Sequence, residues 1–192
     1  MSGAIRRAPA DSLIGRLGPL RAMLRPPAAG HQVLAILDVL DELGIAHWVA
    51  GGWGVDALSG RQSRDHDDVD VVLDDFEHTI DRAAGALGAR GFRVLERVRR
   101  PLWMPDRCHL EDGVGLHVDL LSLDLGRLQH ASSAEAPGSQ QGLAPFATGT
   151  IEGRTVPCLS AAAQRIVHGG YSARSVDRHD LALLQELRSS MV

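Results

Sequence analysis

The stretch that decides the reading runs Val49-Ala-Gly-Gly-Trp-Gly-Val-Asp-Ala-Leu-Ser-Gly-Arg-Gln-Ser-Arg-Asp-His-Asp-Asp-Val-Asp-Val-Val-Leu73. Its last part, Val69 to Leu73, is rich in β-branched residues and reads as a strand. Side chains alternate across a strand, so Asp68 and Asp70 project to one side, roughly 7 Å apart, while Val69 and Val71 point into a core. Two neighbouring carboxylates repel unless a cation lies between them. Magnesium favours such oxygen ligands, completed by water and substrate phosphates. The pair therefore reads as a metal platform, against the plainer alternative of two solvated acids.

Two other features bear on that choice. Ile45 to Ala50 reads as a strand that runs straight into Gly51-Gly52, where backbone N–H groups can approach a phosphate with no Cβ in the way. Further on, Leu116-His-Val-Asp-Leu-Leu121 reads as part of a strand from Val114. His117, Asp119 and Leu121 share one of its faces. An acid in so apolar a strand is costly unless paired or metal-bound. Asp119 can complete a three-carboxylate site if its strand lies beside that of Asp68 and Asp70; the alternative is an arginine partner.

The remaining chain supplies a scaffold. His31 to Leu43 is predicted to be a helix, with Val33, Ile36, Leu37, Leu40 and Leu43 on one stripe. Trp53 to Leu58 suits a short helix and Gly60 to Asp67 a polar loop. Asp75 to Arg90 reads as a helix buried along Phe76, Ile80, Ala83, Ala84 and Leu87. Phe92–Val98 and Leu102–Leu110 read as strands, Ser122 to Gly142 as loop, and Ile151–Cys158 as a hairpin arm turning at Glu152-Gly153. Ser160 is expected to cap a helix to about His168, and Asp177 a last helix through Leu187. This order suggests an α+β fold, a mixed sheet backed by helices with a helical C-terminal part. The expected division is an N-terminal arm over 1–29, a core over 30–158 and a helical segment over 159–192. Within the arm, Asp11 to Leu24 has the pattern of a short amphipathic helix, against the alternative of a frayed terminal arm.

Composition limits the chemistry. The chain has 192 residues and a net charge of −4, and all 20 of its basic residues are arginine. The absence of lysine excludes a Schiff-base mechanism, a P-loop lysine and the protein-kinase ion pair. The acidic balance disfavours duplex nucleic acid and leaves room for a cationic small molecule. Cys108 and Cys158 lack the spacing of a zinc site and fit a reducing compartment. No run is apolar for long enough to span a bilayer, and a cytoplasmic protein, monomer or homodimer, is expected.

Gly-Gly-Trp-Gly-Val-Asp-Ala-Leu58 followed by Gly-Arg-Gln-Ser-Arg-Asp-His-Asp-Asp-Val-Asp70 closely resembles the antibiotic nucleotidyltransferases, and more narrowly the group of aminoglycoside 2''-adenylyltransferases and lincosamide nucleotidyltransferases. His117-Val-Asp-Leu120, Gly153-Arg-Thr-Val-Pro-Cys-Leu-Ser160, His168-Gly-Gly-Tyr171 and Asp177-Arg-His-Asp180 extend the likeness, which covers roughly Val33 to Leu187. The resemblance implies the nucleotidyltransferase (DNA polymerase β-like) fold. It implies transfer of a nucleoside monophosphate, AMP from ATP, to a hydroxyl of an antibiotic-like acceptor, with an aminoglycoside ahead of a lincosamide. Two Mg2+ ions would be held by Asp68, Asp70 and Asp119, with Asp119 activating the hydroxyl. Gly51, Gly52 and Trp53 would hold the β- and γ-phosphates. Arg64 would pair with a phosphate or lie on the surface, and Arg178, where the family's pocket can carry a lysine, would be a second clamp. His66 would support the metal site or be a solvated loop histidine, and Tyr171 would line the cleft or pack. Asp74, Asp75, Glu111, Asp112 and Asp124 would attract a polycation, and Leu102, Trp103 and Met104 would supply apolar wall for a lincosamide. The rivals are a nucleotidyltransferase of RNA or protein, as in toxin-like relatives, a nucleotide-binding module without catalysis, and an HD-type metal phosphohydrolase using His66-Asp67 and His179-Asp180.

Overall fold

Val69 and Val71 are wholly buried, while Asp68 is exposed and Asp70 half-buried, the alternation expected of a strand with one face in a core. A computed structural model of the protein describes residues 27–99, 105–123, 144–168 and 175–189. Asp11–Leu24, Trp103, Asp124 and Tyr171 lie outside them. The elements are α1 (Gly30–Glu42), β1 (His47–Ala50), α2 (Gly51–Ser59), β2 (Asp68–Leu73), α3 (Phe76–Ala89), β3 (Arg93–Val98), β4 (Arg107–Glu111), β5 (His117–Leu121), β6 (Phe146–Ile151), β7 (Arg154–Leu159), α4 (Ala161–His168) and α5 (Ser175–Ser189).

The strands form one mixed sheet in the order β3-β4-β5-β2-β1-β7-β6. The β2/β5 and β1/β7 pairs are parallel and the others antiparallel. On one face, Val49, Val69, Val71, Leu73, Val118, Leu120, Cys108 and Leu110 join the buried stripes of α1 (Val33, Ile36, Leu37, Leu40) and α3 (Ile80, Ala83, Ala84, Leu87) in the main core. Gly44 (φ 65°) ends the run of α1, because a glycine takes the left-handed conformation without a Cβ penalty. The other face carries the acids. Its lower part is apolar: Ala50, Val72 and Leu159 pack with Ala163 of α4, and Trp48, Leu121, Leu123, Phe146 and Ile166 lie against them. A third small cluster, Val55 with Leu183 and Leu184, seats α5 on α2.

Several boundaries move from the sequence expectation. The first strand begins at His47; the chain turns at Leu43-Gly44, and the Ile45 N–H still donates to the Leu40 carbonyl at 3.0 Å. Strand β6 was not expected. Phe146-Ala-Thr-Gly-Thr-Ile151 lacks a clear alternation, and it is paired only because the Glu152-Gly153 turn, with both residues at positive φ, folds it along β7. Ser160 does cap α4, its Oγ accepting the Ala163 N–H at 3.2 Å. Asp177 is no cap: α5 starts at Ser175, and the Asp177 carboxylate is buried 3.7 Å from His168. No helix among the described residues is long and apolar enough to cross a membrane.

Candidate functional site

The parallel pairing of β2 with β5 sets the site. Its register places Asp68 beside His117 and Asp70 beside Asp119. Paired residues in a sheet share a face, so all three acids come together on the face opposite the main core. On the other side of β2, the antiparallel β1 sets Ala50 beside Asp70, and the chain then enters α2 through Gly51 at φ 57°. A Cβ on Gly51 would lie 2.0 Å from Oδ2 of Asp70. The glycine is therefore required twice, by its backbone conformation and by the carboxylate closing over its Cα.

Asp119 is buried, and its oxygens are engaged from β4. The antiparallel β4/β5 register puts His109 beside Asp119 and Glu111 beside His117. The His109 Nδ1–H donates to Asp119 Oδ1 at 2.5 Å, and Arg107 Nη1 donates to Oδ2 at 3.2 Å. With Nδ1 of a neutral His109 as donor, its Nε2 accepts from His117 Nδ1 at 2.8 Å, and His117 Nε2 lies 3.5 Å from Glu111 Oε1. Arg107 is drawn also to Glu96 at 2.9 Å. Sequence reasoning missed this row. The signal was present in Arg107-Cys-His-Leu-Glu111, whose polar residues alternate in step with His117 and Asp119, but using it requires the hairpin register.

The loop after α2 folds back over the glycine turn. His66 is buried, not solvated, and its Nε2–H donates to the buried Asp56 at 2.5 Å; its ring packs against Trp53, 4.7 Å between centroids. Ser63 Oγ donates to the other Asp56 oxygen at 2.5 Å. Burial works to raise the Asp56 pKa, but the hydrogen bonds from His66 and Ser63 overcome it and hold the carboxyl below its ordinary range. Trp53 is itself buried in the main core. Arg64 neither lies loose on the surface nor spends its whole fork outward. Nε and Nη2 donate to the two oxygens of Asp180 on α5, at 2.9 and 2.7 Å. Those hydrogen bonds raise its pKa against the pull of burial, and Asp56 and Asp68 add to the effect. Arg178 is exposed on the same helix.

The apolar lower part of the acid face opens into a cleft of about 400 Å3 lined by Trp48, Asp74, Asp75, Phe76, Asp106 and Phe146 among others. Trp48 and Phe146 stack at 3.8 Å with an interplanar angle of 10°. Asp74 and Asp75 thus border a cavity. Glu111 and Asp112 are engaged elsewhere. Glu111 is paired with Arg93 at 2.5 Å, and Asp112 Oδ1 accepts the backbone N–H groups of Val114, Gly115 and Leu116, which makes it a turn residue.

The donor set formed by Asp68, Asp70 and Asp119 is oxygen only, which suits magnesium and not a soft metal. Among the described residues no three or more His, Cys, Asp or Glu side chains close around one cation position. The residues fit a cation whose shell is shared with a substrate's phosphate oxygens, not one caged by protein alone.

A mixed sheet whose central strands present paired acids beside a glycine turn is the architecture of a nucleotidyltransferase, and the protein is one. Residues 32–184 match the family model for aminoglycoside-2''-adenylyltransferase, and the chain belongs to that family. A lincosamide resistance protein of Staphylococcus haemolyticus is 28% identical over 158 residues, 81% of this chain and 94% of that protein. A 2''-aminoglycoside nucleotidyltransferase of Klebsiella pneumoniae is 46% identical, but over 43 residues, 22% of this chain and 23% of that protein. Among solved structures, the lincosamide antibiotic adenylyltransferase LnuA with lincomycin bound superposes with a TM-score of 0.63 at 25% identity, over 84% of this chain and 99% of that one.

Proposed function

We propose that this protein transfers a nucleoside monophosphate, AMP from ATP, to a hydroxyl of a small cationic antibiotic-like acceptor. The observation that carries this reading is the β2/β5 register, which sets Asp70 directly beside Asp119 on an open sheet face. Asp68, Asp70 and Asp119 would hold magnesium. Bound there, the metal supplies neutralisation of charge on the triphosphate and on departing pyrophosphate. The N–H groups at the start of α2, with Gly51 and Gly52 permitting close approach, hold the β- and γ-phosphates. Asp119 takes the acceptor's hydroxyl proton as the new oxygen–phosphorus bond forms at the α-phosphorus and the bond to the β-phosphate oxygen breaks. Arg107 and His109 hold the Asp119 carboxylate toward that task.

A lincosamide-like acceptor now stands ahead of an aminoglycoside, the reverse of the sequence expectation. Two of the carboxylates that favoured a polycation, Glu111 and Asp112, are spent within the protein. The cleft beside the acids instead has the stacked Trp48 and Phe146 as apolar wall and a few acids at its rim, which suits an amphiphilic monocation. A lincosamide resistance protein is similar over 81% of the chain, while the family model matching residues 32–184 is that of aminoglycoside-2''-adenylyltransferase, so the cleft and not the likeness sets this order. An HD-type hydrolase is disfavoured because His66 and Asp180 are each committed to other partners, Asp56 and Arg64.

The test is pyrophosphate release and mass analysis of products when purified protein, magnesium and each nucleoside triphosphate meet a panel of lincosamides and aminoglycosides. Adenylylated lincosamide is the expected product, with an apparent acceptor affinity only weakly dependent on salt. A steep salt dependence with aminoglycosides as the better acceptors would reverse the order. Labelling of RNA or protein with no small-molecule product would refute the antibiotic acceptor.

A further inference from the structure

Two side chains from the C-terminal helices reach across to the glycine turn. Gln164 of α4, wholly buried, donates from Nε2 to the Gly51 carbonyl at 3.4 Å. Asp180 of α5, also buried, grips Arg64 by both oxygens. The guanidinium so held lies directly over Gly52: a Cβ there would meet Nη2 at 2.4 Å. It also lies within electrostatic reach of Asp68. Arginine has five N–H donors. Two go to Asp180 and one, on Nη1, to the Asp65 carbonyl at 3.0 Å; among the described residues the second N–H of Nη2, the atom above Gly52, and that of Nη1 make no further hydrogen bond. A carboxylate buried at this depth is costly unless it is paired, and this one meets its arginine at the turn where triphosphate is read to bind.

Resting on the nucleotidyltransferase reading above, we infer that Asp180 is a positioning residue: it holds Arg64 as a phosphate ligand over the Gly51-Gly52 turn, so that the C-terminal helix sets the affinity for nucleotide. An untethered arginine would have to order its side chain on each binding event. The bidentate carboxylate fixes the fork beforehand and leaves its inner edge for an anion. The same contact explains how residues 116 apart in sequence come to serve one site.

Equilibrium binding of magnesium–ATP and inhibition by pyrophosphate, measured beside kcat in the full chain, test this. Asp180→Asn and Arg64→Gln should each weaken ATP and pyrophosphate binding by about tenfold or more, the loss of a charged hydrogen bond. The kcat at saturating nucleotide should change far less. The double variant should bind no worse than Arg64→Gln alone, because both changes remove one interaction. Arg64→Lys should recover only part of the affinity. If Asp180→Asn does not fold, Arg64→Gln and the double variant, which leaves no lone buried charge, carry the same comparison. A lowered melting temperature with unchanged ATP and pyrophosphate affinity would make the pair merely structural and overturn the inference while leaving the nucleotidyltransferase reading intact. Failure of the unaltered protein to bind magnesium–ATP at all would overturn both.

Discussion

Gly51→Ala probes the site at its tightest point. Alanine at φ 57° incurs the left-handed penalty of about 1–2 kcal/mol. Its Cβ would also sit 2.0 Å from Asp70 Oδ2, where at least 3.0 Å is needed. The carboxylate must therefore retreat by about 1 Å or the turn must open, adding on the order of 1 kcal/mol. The expected total is about 2–3 kcal/mol, or a fall in melting temperature of roughly 4–12 °C for a chain of this size. Displacing a reacting group by about 1 Å costs on the order of 100-fold in rate, so pyrophosphate release should fall at least that far. Asp70→Ala separates the two contributions. In that background only the Cβ of residue 70, 3.2 Å from the new methyl, remains in tight contact, and Gly51→Ala should cost little more than the backbone penalty, about 1–2 kcal/mol. Calorimetry on the four proteins of the cycle decides the matter. An identical cost in both backgrounds, or a Gly51→Ala enzyme of normal turnover, would refute the placement of Asp70 over the turn.

The other expectations are simpler. Asp68→Asn or Asp70→Asn should abolish transfer while the melting temperature without metal holds or rises, since a charge repulsion is relieved. Asp119→Asn should lower turnover far more than nucleotide affinity, whereas unfolding with no separate catalytic defect would return Asp119 to a structural role. His168 has its pKa held below the ordinary 6.5 by burial, against the attraction of Asp180 and Asp177. The unfolded chain thus takes up the proton first, and this contribution to stability, full above pH 6.5, is lost as pH falls through the folded value. Melting temperature should drop from pH 7 toward pH 5, and a His168→Gln variant with an unchanged slope would exclude this histidine as the cause. Cys108 and Cys158 are wholly buried, and burial pushes the Cys158 thiol up to about 11. Neither should react with a thiol reagent at pH 8 until the protein unfolds; fast labelling of the native protein would contradict the packing.

What could be read from the chain divides by range. The alternation of Asp68, Val69, Asp70 and Val71 is local, and so is that of His117 to Leu121; each strand announces which of its faces is wet. Their adjacency is not local. It arises because β5 enters the sheet between β4 and β2, a choice made by the whole core. The fate of the loop histidine was equally beyond local pattern. His66 is buried because Asp56, an acid in an otherwise apolar helix, waits for it, and that lone acid in Gly51–Leu58 was the readable sign. Arg64 looked like a phosphate ligand or a surface residue. Its partner lies on another helix far along the chain, where no periodicity connects the two. Strand β6 escaped because its pairing is imposed by a turn at its end, not by the character of Ala147-Thr-Gly-Thr150.

Along one strand, β2 orders the successive needs of the proposed reaction. Asp68 and Asp70 stand at its start, Val72 is packed beneath α4, and Asp74 lies at the rim of the cleft just past its end. At about 3.3 Å per residue, Asp74 follows Asp70 by roughly 13 Å. An acceptor whose hydroxyl reaches Asp119 would then lay an apolar body along the Trp48–Phe146 stack before its cation meets the far carboxylate. Such spacing favours a molecule with its charge well removed from the reacting hydroxyl over one with amines on every ring. It also explains why the sheet can carry acids at both ends of one face without mutual repulsion. More than a Debye length separates them at physiological salt.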